Sequence, residues 1–466
     1  MKKEVACAIV AIVLIHMTGP GFAQGASQAT GTQAASSGST AVAGPEEPDL
    51  NEKRQAIVKY GIESELLELF GDLSAEKNGR FNEDTRALFI ASRSVKLRTA
   101  VLELWKVLAW SGGESTALDV VQGRDNQEIT LVASCLRYLA EIKSRRALEY
   151  AKVLLDENDK TILPQLFMLL GRAGGGPEED ILLDWMGKDT GNPAFKESAI
   201  KALGEIKSQK AVDALVKIVD DSAQVQPDRL AAVDALGKIG NQKAVASLVK
   251  ASTGDSAVIQ AAAIEALGAF TGADAEAAIL DALRSSFPKT RIAACKAVAT
   301  RKLTRAEPNL EYKAKNDPDK AVKTEALRAL SRLGGPEAFA FIAGIMNDRK
   351  LDSPSRGLAF GLLARNDPKA SMQTMSTLLS AEAKTPDRYL FKILAKEVAN
   401  ARDAPDIAPL ARILMADKEY EIRIGGLEWA RLTGAPDIKA DVTRLSVSDS
   451  EIAVRKRAAS VLKDFP

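Results

Sequence analysis

Apolar residues recur along the chain at a spacing of 31 to 33 residues. In each segment the residue three places earlier is also apolar, and the residue one place later is small. Because offsets of three and four residues lie on one face of an α-helix, each segment is predicted to be a helix with one buried face. The aligned positions are Leu108, Leu139, Leu170, Leu203, Leu236, Leu267, Val298, Leu330 and Leu363.

A second apolar position follows twelve residues after each aligned position, beyond a break in the helical pattern. The break contains turn formers such as Gly240-Asn241 and Gly334-Gly335. Proline is tolerated in the first turn of a helix, so its recurrence there predicts that a second helix begins. Each unit is therefore predicted to be a helix, a short turn and a helix, and it needs neighbouring units to cover its apolar face. The recurring prolines are Pro177, Pro336, Pro368, Pro405 and Pro436.

Four units carry a shared motif in the first helix, at Ala199–Gly204, Ala232–Gly237, Ala263–Gly268 and Ala326–Ser331. With the period, these motifs resemble the HEAT repeat, and most closely the short HEAT-like repeats named after bilin (phycocyanobilin) lyases. The resemblance covers about residues 95–466. It implies an all-α fold, an armadillo-like α-solenoid (α-α superhelix) of stacked helical hairpins. The acid–arginine pair typical of such repeats appears only in fragments, as at Asp228-Arg229.

Residues 1–23 have the pattern of a secretory signal peptide. Lys2 and Lys3 precede the apolar run Val5–Met17, and small residues at Gly21 and Ala23 prepare a cleavage site. The run is shorter than the ~20 residues that span a bilayer, although an uncleaved anchor is the alternative. We therefore expect an exported, periplasmic protein, tethered to the membrane only if this segment is retained.

Three further segments are distinguished by composition. Residues 24–48 form a low-complexity linker that consists mainly of Ala, Gly, Ser, Thr and Gln. Such a segment has little to bury and is expected to be disordered. Residues 49–92 are predicted to form N-terminal capping helices, and residues 93–466 the solenoid of HEAT-like repeats.

The residue counts argue against several classes of protein. His16 is the single histidine and lies in the predicted signal peptide, so the mature chain lacks a His base or His metal ligand. Removing residues 1–23 takes away Lys2, Lys3 and Glu4 and leaves 61 basic and 61 acidic side chains. Zero net charge argues against a nucleic-acid binder, which requires a surplus of Lys and Arg. We expect no catalytic residue, no metal and no cofactor.

These features predict a non-enzymatic scaffold that binds a protein partner through the extended inner face of the solenoid. The alternative is a lyase-like HEAT-repeat enzyme or a cofactor-binding protein, as the resemblance to bilin lyases implies. Related families also include a His-ligated di-iron hydroxylase, whose His-Glu metal motifs have no counterpart in a mature chain without histidine.

A basic run is the clearest candidate for partner binding. Seven basic and no acidic residues lie between Arg284 and Arg305. The run is predicted to bind an acidic partner or an anionic polymer, and the alternative is a solvated face balanced by neighbouring units. An acidic stretch at Glu63, Glu65, Glu68, Asp72 and Glu76 forms either the acidic face of the cap or a self-association partner for the basic run. The predicted partner-binding residues are Lys289, Arg291, Lys296, Arg301, Lys302 and Arg305.

Other reactive or aromatic residues have structural interpretations. Cys135 and Cys295 lie five units apart, too far for a disulfide, and are predicted to be buried. The segment Gly171–Pro177 lacks the Lys-Ser/Thr of a phosphate-binding loop and is predicted to be a turn. Trp105 occupies an apolar core position, whereas the roles of Trp110 and Trp429 stay open.

Overall fold

The structure, a computed structural model, describes residues 50–463 and 465, apart from 189–190, 255, 387 and 402–403. The predicted signal peptide and linker lie outside the described residues. All regular secondary structure in the described part is helical. The chain divides into two units between residues 53 and 54, and the description below concerns the unit that begins at Arg54.

The helices of the described part follow one another with short connections. They are α1 (Leu50–Tyr60), α2 (Glu63–Glu76), α3 (Asn82–Ala91), α4 (Val95–Val107), α5 (Glu114–Gln122), α6 (Ile129–Glu141), α7 (Ala151–Glu157), α8 (Leu163–Ala173), α9 (Gly176–Gly187), α10 (Pro193–Glu205), α11 (Val212–Asp220), α12 (Gln226–Ile239), α13 (Val245–Ala251), α14 (Ala257–Leu267), α15 (Ala273–Ala282), α16 (Pro288–Arg301), α17 (Glu307–Asn316), α18 (Lys320–Leu333), α19 (Pro336–Asn347), α20 (Ser353–Asn366), α21 (Pro368–Glu382), α22 (Tyr389–Ala399), α23 (Ala408–Met415), α24 (Tyr420–Thr433), α25 (Lys439–Ser448) and α26 (Ile452–Lys463).

Two series of helices alternate along the chain. The even-numbered helices from α2 to α26 are called A helices here, and the odd-numbered helices from α3 to α25 are called B helices. Each A helix packs against the next A helix, and each B helix packs against the A helix that follows it. The prediction of an all-α solenoid of stacked hairpins is confirmed.

The aligned apolar positions form the core. Eight of the nine lie in A helices and have no accessible surface, from Leu139 to Leu363. All nine positions that follow twelve residues later are buried in B helices. Pro336 and Pro368 begin α19 and α21, as the turn pattern predicts. The hydrophobic effect therefore favours one continuous core that crosses from unit to unit.

The alignment is wrong in one unit. Leu108 lies just beyond the end of α4 and is half-buried. In five of the other eight units a residue with positive φ follows four places after the aligned position, as at Lys143 and Lys207. In the first unit this residue is Ala109, so Trp105 occupies the aligned position. Trp105 and Leu139 are then 34 residues apart, compared with 31 to 33 residues between later aligned positions. The additional length lies between α5 and α6, where a short 3₁₀ helix forms at Arg124–Asn126.

Small residues allow successive A helices to approach closely. A Cβ atom at Gly171 would lie 2.6 Å from the carbonyl oxygen of Ala202 in the next A helix. At Gly204 it would lie 2.8 Å from the Cα of Ala235. These separations are shorter than carbon–carbon and carbon–oxygen contact distances, so the backbones meet where no side chain fits between them. The contact repeats at Gly237, where a Cβ would lie 2.9 Å from that of Ala266.

We expect Gly204→Ala to destabilise the protein and Gly344→Ala to stabilise it. Alanine favours a helix over glycine by about 1 kcal/mol at either position. Gly344 is exposed in α19 and a Cβ there would contact nothing, so the full benefit applies. At Gly204 the added methyl group meets the α12 backbone. The steric clash costs about 1–3 kcal/mol of stability and so outweighs the helix preference of alanine.

The measurement is the thermal unfolding midpoint of each full-length variant, followed by circular dichroism. A midpoint for Gly204→Ala at or above that of the unmodified protein would contradict the close backbone contact between α10 and α12.

Candidate functional site

The structure separates the six predicted partner-binding residues. Lys289 lies in the first turn of α16, whereas Arg301 and Lys302 lie at its other end. At 1.5 Å per residue the two ends are roughly 18 Å apart. Arg305 lies in the turn that follows. The basic run therefore reaches two opposite edges of the stack and does not form one cluster.

Arg291 does not meet the expectation of an exposed basic residue. Its side chain is buried, and its Nε and Nη2 donate to the two carboxylate oxygens of Asp317 at 2.9 and 2.7 Å. Its Nη1 donates to the carbonyl oxygens of Ser285 and Ser286. A sequence run shows the sign of a charge but not the partner that the next unit supplies. Arg291 holds successive units together.

The other residues of the run are mostly neutralised by neighbouring units. Lys296 lies 3.9 Å from Glu265 of the preceding A helix, and Arg305 pairs with Glu276. Lys302 donates to the carbonyl oxygen of Arg332, and Arg301 is half-buried. Lys289 is exposed and has no ion pair among the described residues. The alternative prediction, a solvated face balanced by adjacent units, fits this geometry better than a single docking patch.

Ion pairs between successive A helices continue this balance along the stack. Glu205 lies between Arg172 (3.6 Å) and Lys238 (2.9 Å). Burial acts to raise the pKa of Glu205, but the two cations hold that pKa below its usual value. Each pair is partly exposed and stabilises the fold by ~1 kcal/mol or less. This charge ladder consists of Glu103–Arg137, Glu141–Arg172, Arg172–Glu205, Glu205–Lys238, Glu265–Lys296, Arg365–Glu397 and Glu428–Arg457.

Buried arginine–aspartate pairs form a second set of inter-unit contacts. Arg423 repeats the geometry of Arg291: it donates twice to Asp449 at 2.8 Å, and to the carbonyl oxygens of Asp417 and Lys418. Arg388 pairs with Asp417 at 2.6 Å. Sequence reasoning missed these pairs. The signal that could have found them is an arginine early in an A helix, followed by an aspartate just before the next A helix.

The acidic stretch is largely engaged within the cap. Glu65 accepts a hydrogen bond from the backbone N–H of Ile62 at 2.9 Å, and Glu76 pairs with Arg54. Glu63 accepts from the Ser94 hydroxyl. These contacts give three of the five carboxylates a structural role at the start of the stack.

The two cysteines, Trp105 and Trp429 are core residues, and Trp110 is half-buried against the core. Cys135 and Cys295 are buried free thiols, and burial raises the pKa of each to about 12. A thiol with that pKa is a poor nucleophile at neutral pH. Trp429 is buried and its Nε1 donates to the carbonyl oxygen of Ala401, while Trp110 packs edge-on against Trp105.

Surface grooves lie between successive units. One, of about 350 Å³, is lined by charged residues including Glu265, Lys296 and Arg332. Another, of about 430 Å³, lies between the starts of α18 and α20 and has a partly apolar lining. The segment Gly171–Pro177 contains the end of α8, a turn at Gly174 and Gly175, and the start of α9, so the predicted turn lies within it. These grooves offer surface contacts from two units at a time.

The described part of the chain lacks two further features. No group of three or more His, Cys, Asp or Glu side chains among the described residues is arranged to hold a metal ion. None of the described helices has both the length and the apolar composition that a membrane-spanning helix requires.

Comparison with known proteins gives one family and several distant structures. Residues 58–461 match the family model of the spirochaete HEAT repeat protein. The karyopherin Kap121p is 11% identical, with a TM-score of 0.41, over 90% of this chain and 55% of the karyopherin. The chain thus spans about half of the karyopherin's length.

Two smaller structures are also similar. The CpcE–CpcF complex of phycocyanin lyase from Nostoc sp. PCC7120 is 18% identical, with a TM-score of 0.30, over 62% of this chain and 96% of that one. Human deoxyhypusine hydroxylase is 16% identical, with a TM-score of 0.26, over 56% of this chain and 99% of the hydroxylase. No curated protein matches the sequence significantly.

Arg291→Met is expected to lower the free energy of unfolding by about 3 kcal/mol. The substitution leaves Asp317 buried with the Lys313 ammonium, 3.3 Å away, as its remaining charged partner. Lys289→Gln, two residues earlier and exposed, is the control and should change stability little. The measurement is urea unfolding at neutral pH. Equal stability of the two variants would show that the pair contributes nothing.

Asp317 should also make the free energy of unfolding depend on pH. Burial acts to raise the pKa of its carboxyl group, but the Arg291 hydrogen bonds hold that pKa below its usual value. A carboxyl group with a lowered folded-state pKa contributes stability above its unfolded pKa of ~3.9, and this is lost as pH falls toward the folded value. The stability difference between the unmodified protein and Asp317→Asn should be constant above about pH 5 and shrink below about pH 4. A difference that stays constant through the acid range would contradict the lowered pKa.

Proposed function

The chain belongs to the spirochaete HEAT repeat protein family, and from that premise we propose that it is an exported scaffold that binds a protein partner and has no catalytic activity of its own. The family and the stacked hairpins supply the framework. The proposal concerns what the exposed faces of that framework do.

One observation carries the proposal: the grooves of the described surface lie between units, and each takes its lining from more than one helical hairpin. The groove at Asp234, Lys238 and Glu265, for example, lies across α12 and α14. A row of such grooves suits a partner that extends over several units, as the repeated surfaces of solenoid proteins do.

The chemistry of the buried groups supports a role without catalysis. The buried charged side chains Arg291, Asp317 and Arg423 are engaged in contacts between units. The two thiols have pKa values raised to about 12, which disfavours nucleophilic use. These groups therefore contribute to folding, and the reacting groups that an enzyme would need are not among them.

The expected location rests on the sequence of residues 1–23. The basic start, the apolar run and the small residues before Gln24 are the features that an export pathway reads. We place the scaffold in the periplasm, where its partner would be another envelope protein.

Crosslinking in intact cells tests the proposal. A reagent that does not enter the cytoplasm should link the protein to a discrete envelope protein, and mass spectrometry should identify that protein. The control is the chain without residues 1–23, which should stay in the cytoplasm and escape the reagent.

Metal analysis and an absorbance scan of the purified protein distinguish the enzyme class. Stoichiometric metal or bound pigment would contradict the proposed scaffold role, and so would crosslinks to cytoplasmic proteins alone.

A further inference from the structure

Seven basic side chains along one edge of the stack have no ion pair among the described residues. They lie on the connections from B to A helices, and on the adjacent helix ends, in three successive units: α15–α16, α17–α18 and α19–α20. Six are exposed and Lys323 is half-buried. We call this set the basic edge: Arg284, Lys289, Lys315, Lys320, Lys323, Arg349 and Lys350.

Basic residues without an ion pair occur elsewhere in the described part, as at Lys152 and Lys217, but here seven of them lie on three neighbouring connections. No described carboxylate lies within ion-pair distance of any member of the basic edge. An edge of unpaired cations keeps a positive potential that attracts anions over roughly 8–10 Å at moderate ionic strength.

The carboxylates on these connections are already engaged. Asp317 is buried with Arg291, and Asp319 accepts from the backbone N–H groups of Ala321 and Val322 at the start of α18. Asp352 accepts from the N–H of Ser355 at the start of α20 at 2.9 Å. Their negative charges face helix N-termini or a buried guanidinium, and Asp352 also interacts electrostatically with Lys320, although no ion pair forms within 4 Å.

A partly apolar groove opens in the middle of the basic edge. Its volume is about 430 Å³, and Lys320, Lys323 and the carboxylate of Asp352 lie on its wall. The connection that supplies Leu351 to the groove also carries Arg349 and Lys350, and Lys315 follows the lining residue Ala314. Its apolar lining consists of Ala314, Leu327, Ile345, Leu351 and Leu358.

We propose that the basic edge and its groove bind an extended acidic segment of a partner protein, with one or two apolar side chains inserted among the carboxylates. This inference rests on the proposed function and specifies the binding site and the chemistry of the partner. Carboxylates of the segment meet the lysines and arginines, and an apolar side chain fills the groove between α18 and α20.

The dimensions favour a peptide over a small anion. Packed A helices are ~8–10 Å apart, so three units present cations over roughly 20 Å. An extended chain covers that distance with about six residues at ~3.3 Å each. The apolar lining is recessed, since Leu327 and Ile345 are buried and Leu351 is half-buried, whereas insertion into a bilayer requires projecting apolar side chains.

Fluorescence anisotropy with the full chain tests the inference. The probe is a fluorescein-labelled twelve-residue peptide of Glu and Ser with two central Leu residues. Binding should weaken steeply with added salt, and replacing both Leu residues with Ser should weaken it further. Lys320→Glu with Lys323→Glu should reduce the affinity about tenfold or more.

The matched control is Lys152→Glu with Lys217→Glu. These lysines are exposed on the B helices α7 and α11 and make no ion pair among the described residues. Because two lysines again become glutamates, the net charge changes by the same amount as in the test variant. The control variant should bind the peptide nearly as well as the unmodified protein. Leu351→Ser tests the groove separately and should remove the preference for the Leu-containing peptide.

Three outcomes would overturn the inference. The first is that the peptide does not bind at low salt, and the second is that both double variants lose peptide affinity equally. The third is that the protein binds anionic phospholipid vesicles and the peptide does not displace them. The proposed function is tested separately. If Lys320→Glu with Lys323→Glu still crosslinks to the envelope partner in cells, the scaffold role stands and the basic edge is not its binding site.

Discussion

The backbones of successive A helices approach one another where glycine near the end of one helix faces alanine in the next. Gly171 faces Ala202 and Gly204 faces Ala235, at separations that exclude a Cβ atom on the glycine. This contact sets the register of α8, α10, α12 and α14. Buried leucine positions, inter-unit ion pairs and grooves depend on the register of the stack, because each requires a residue of one unit to meet its counterpart in the next.

Electrostatics follows from that register. When equivalent positions lie side by side, a change of sign from one unit to the next places opposite charges in contact, as at Arg172, Glu205 and Lys238. The nearly neutral composition therefore reflects local pairing as well as overall balance. Where the register brings no carboxylate, as along the basic edge, the charge stays available to another molecule.

The sequence is sufficient to predict the fold because the buried positions repeat. Gly204 and Gly237 occupy equivalent positions of successive repeats, and the aligned sequence shows that this position is small. The alignment does not show which residue of the next helix faces it, so the partners Ala235 and Ala266 emerge only from the structure. The position of Trp105 is missed because the alignment assumes a repeat of 31 to 33 residues, whereas Trp105 and Leu139 are 34 residues apart.

The candidate site is less predictable. A run of basic residues is continuous in sequence, but α16 carries its two ends to opposite edges, and Arg291 turns inward to Asp317. Lys315, Lys320 and Arg349 join Lys289 only when three connections are placed side by side. Such a surface is formed by residues from successive repeats, so no single segment of the sequence displays it.

The connection between α5 and α6, which contains the short 3₁₀ helix Arg124–Asn126, shows where the architecture tolerates changes in chain length. Trp105 and Leu139 are 34 residues apart, compared with 31 to 33 between later aligned positions, yet both side chains remain fully buried. The connection absorbs the insertion and leaves the helices on both sides in phase. Insertions and deletions accumulated during divergence would therefore be accommodated in such connections, while an added or lost hairpin would preserve the pairing of its neighbours.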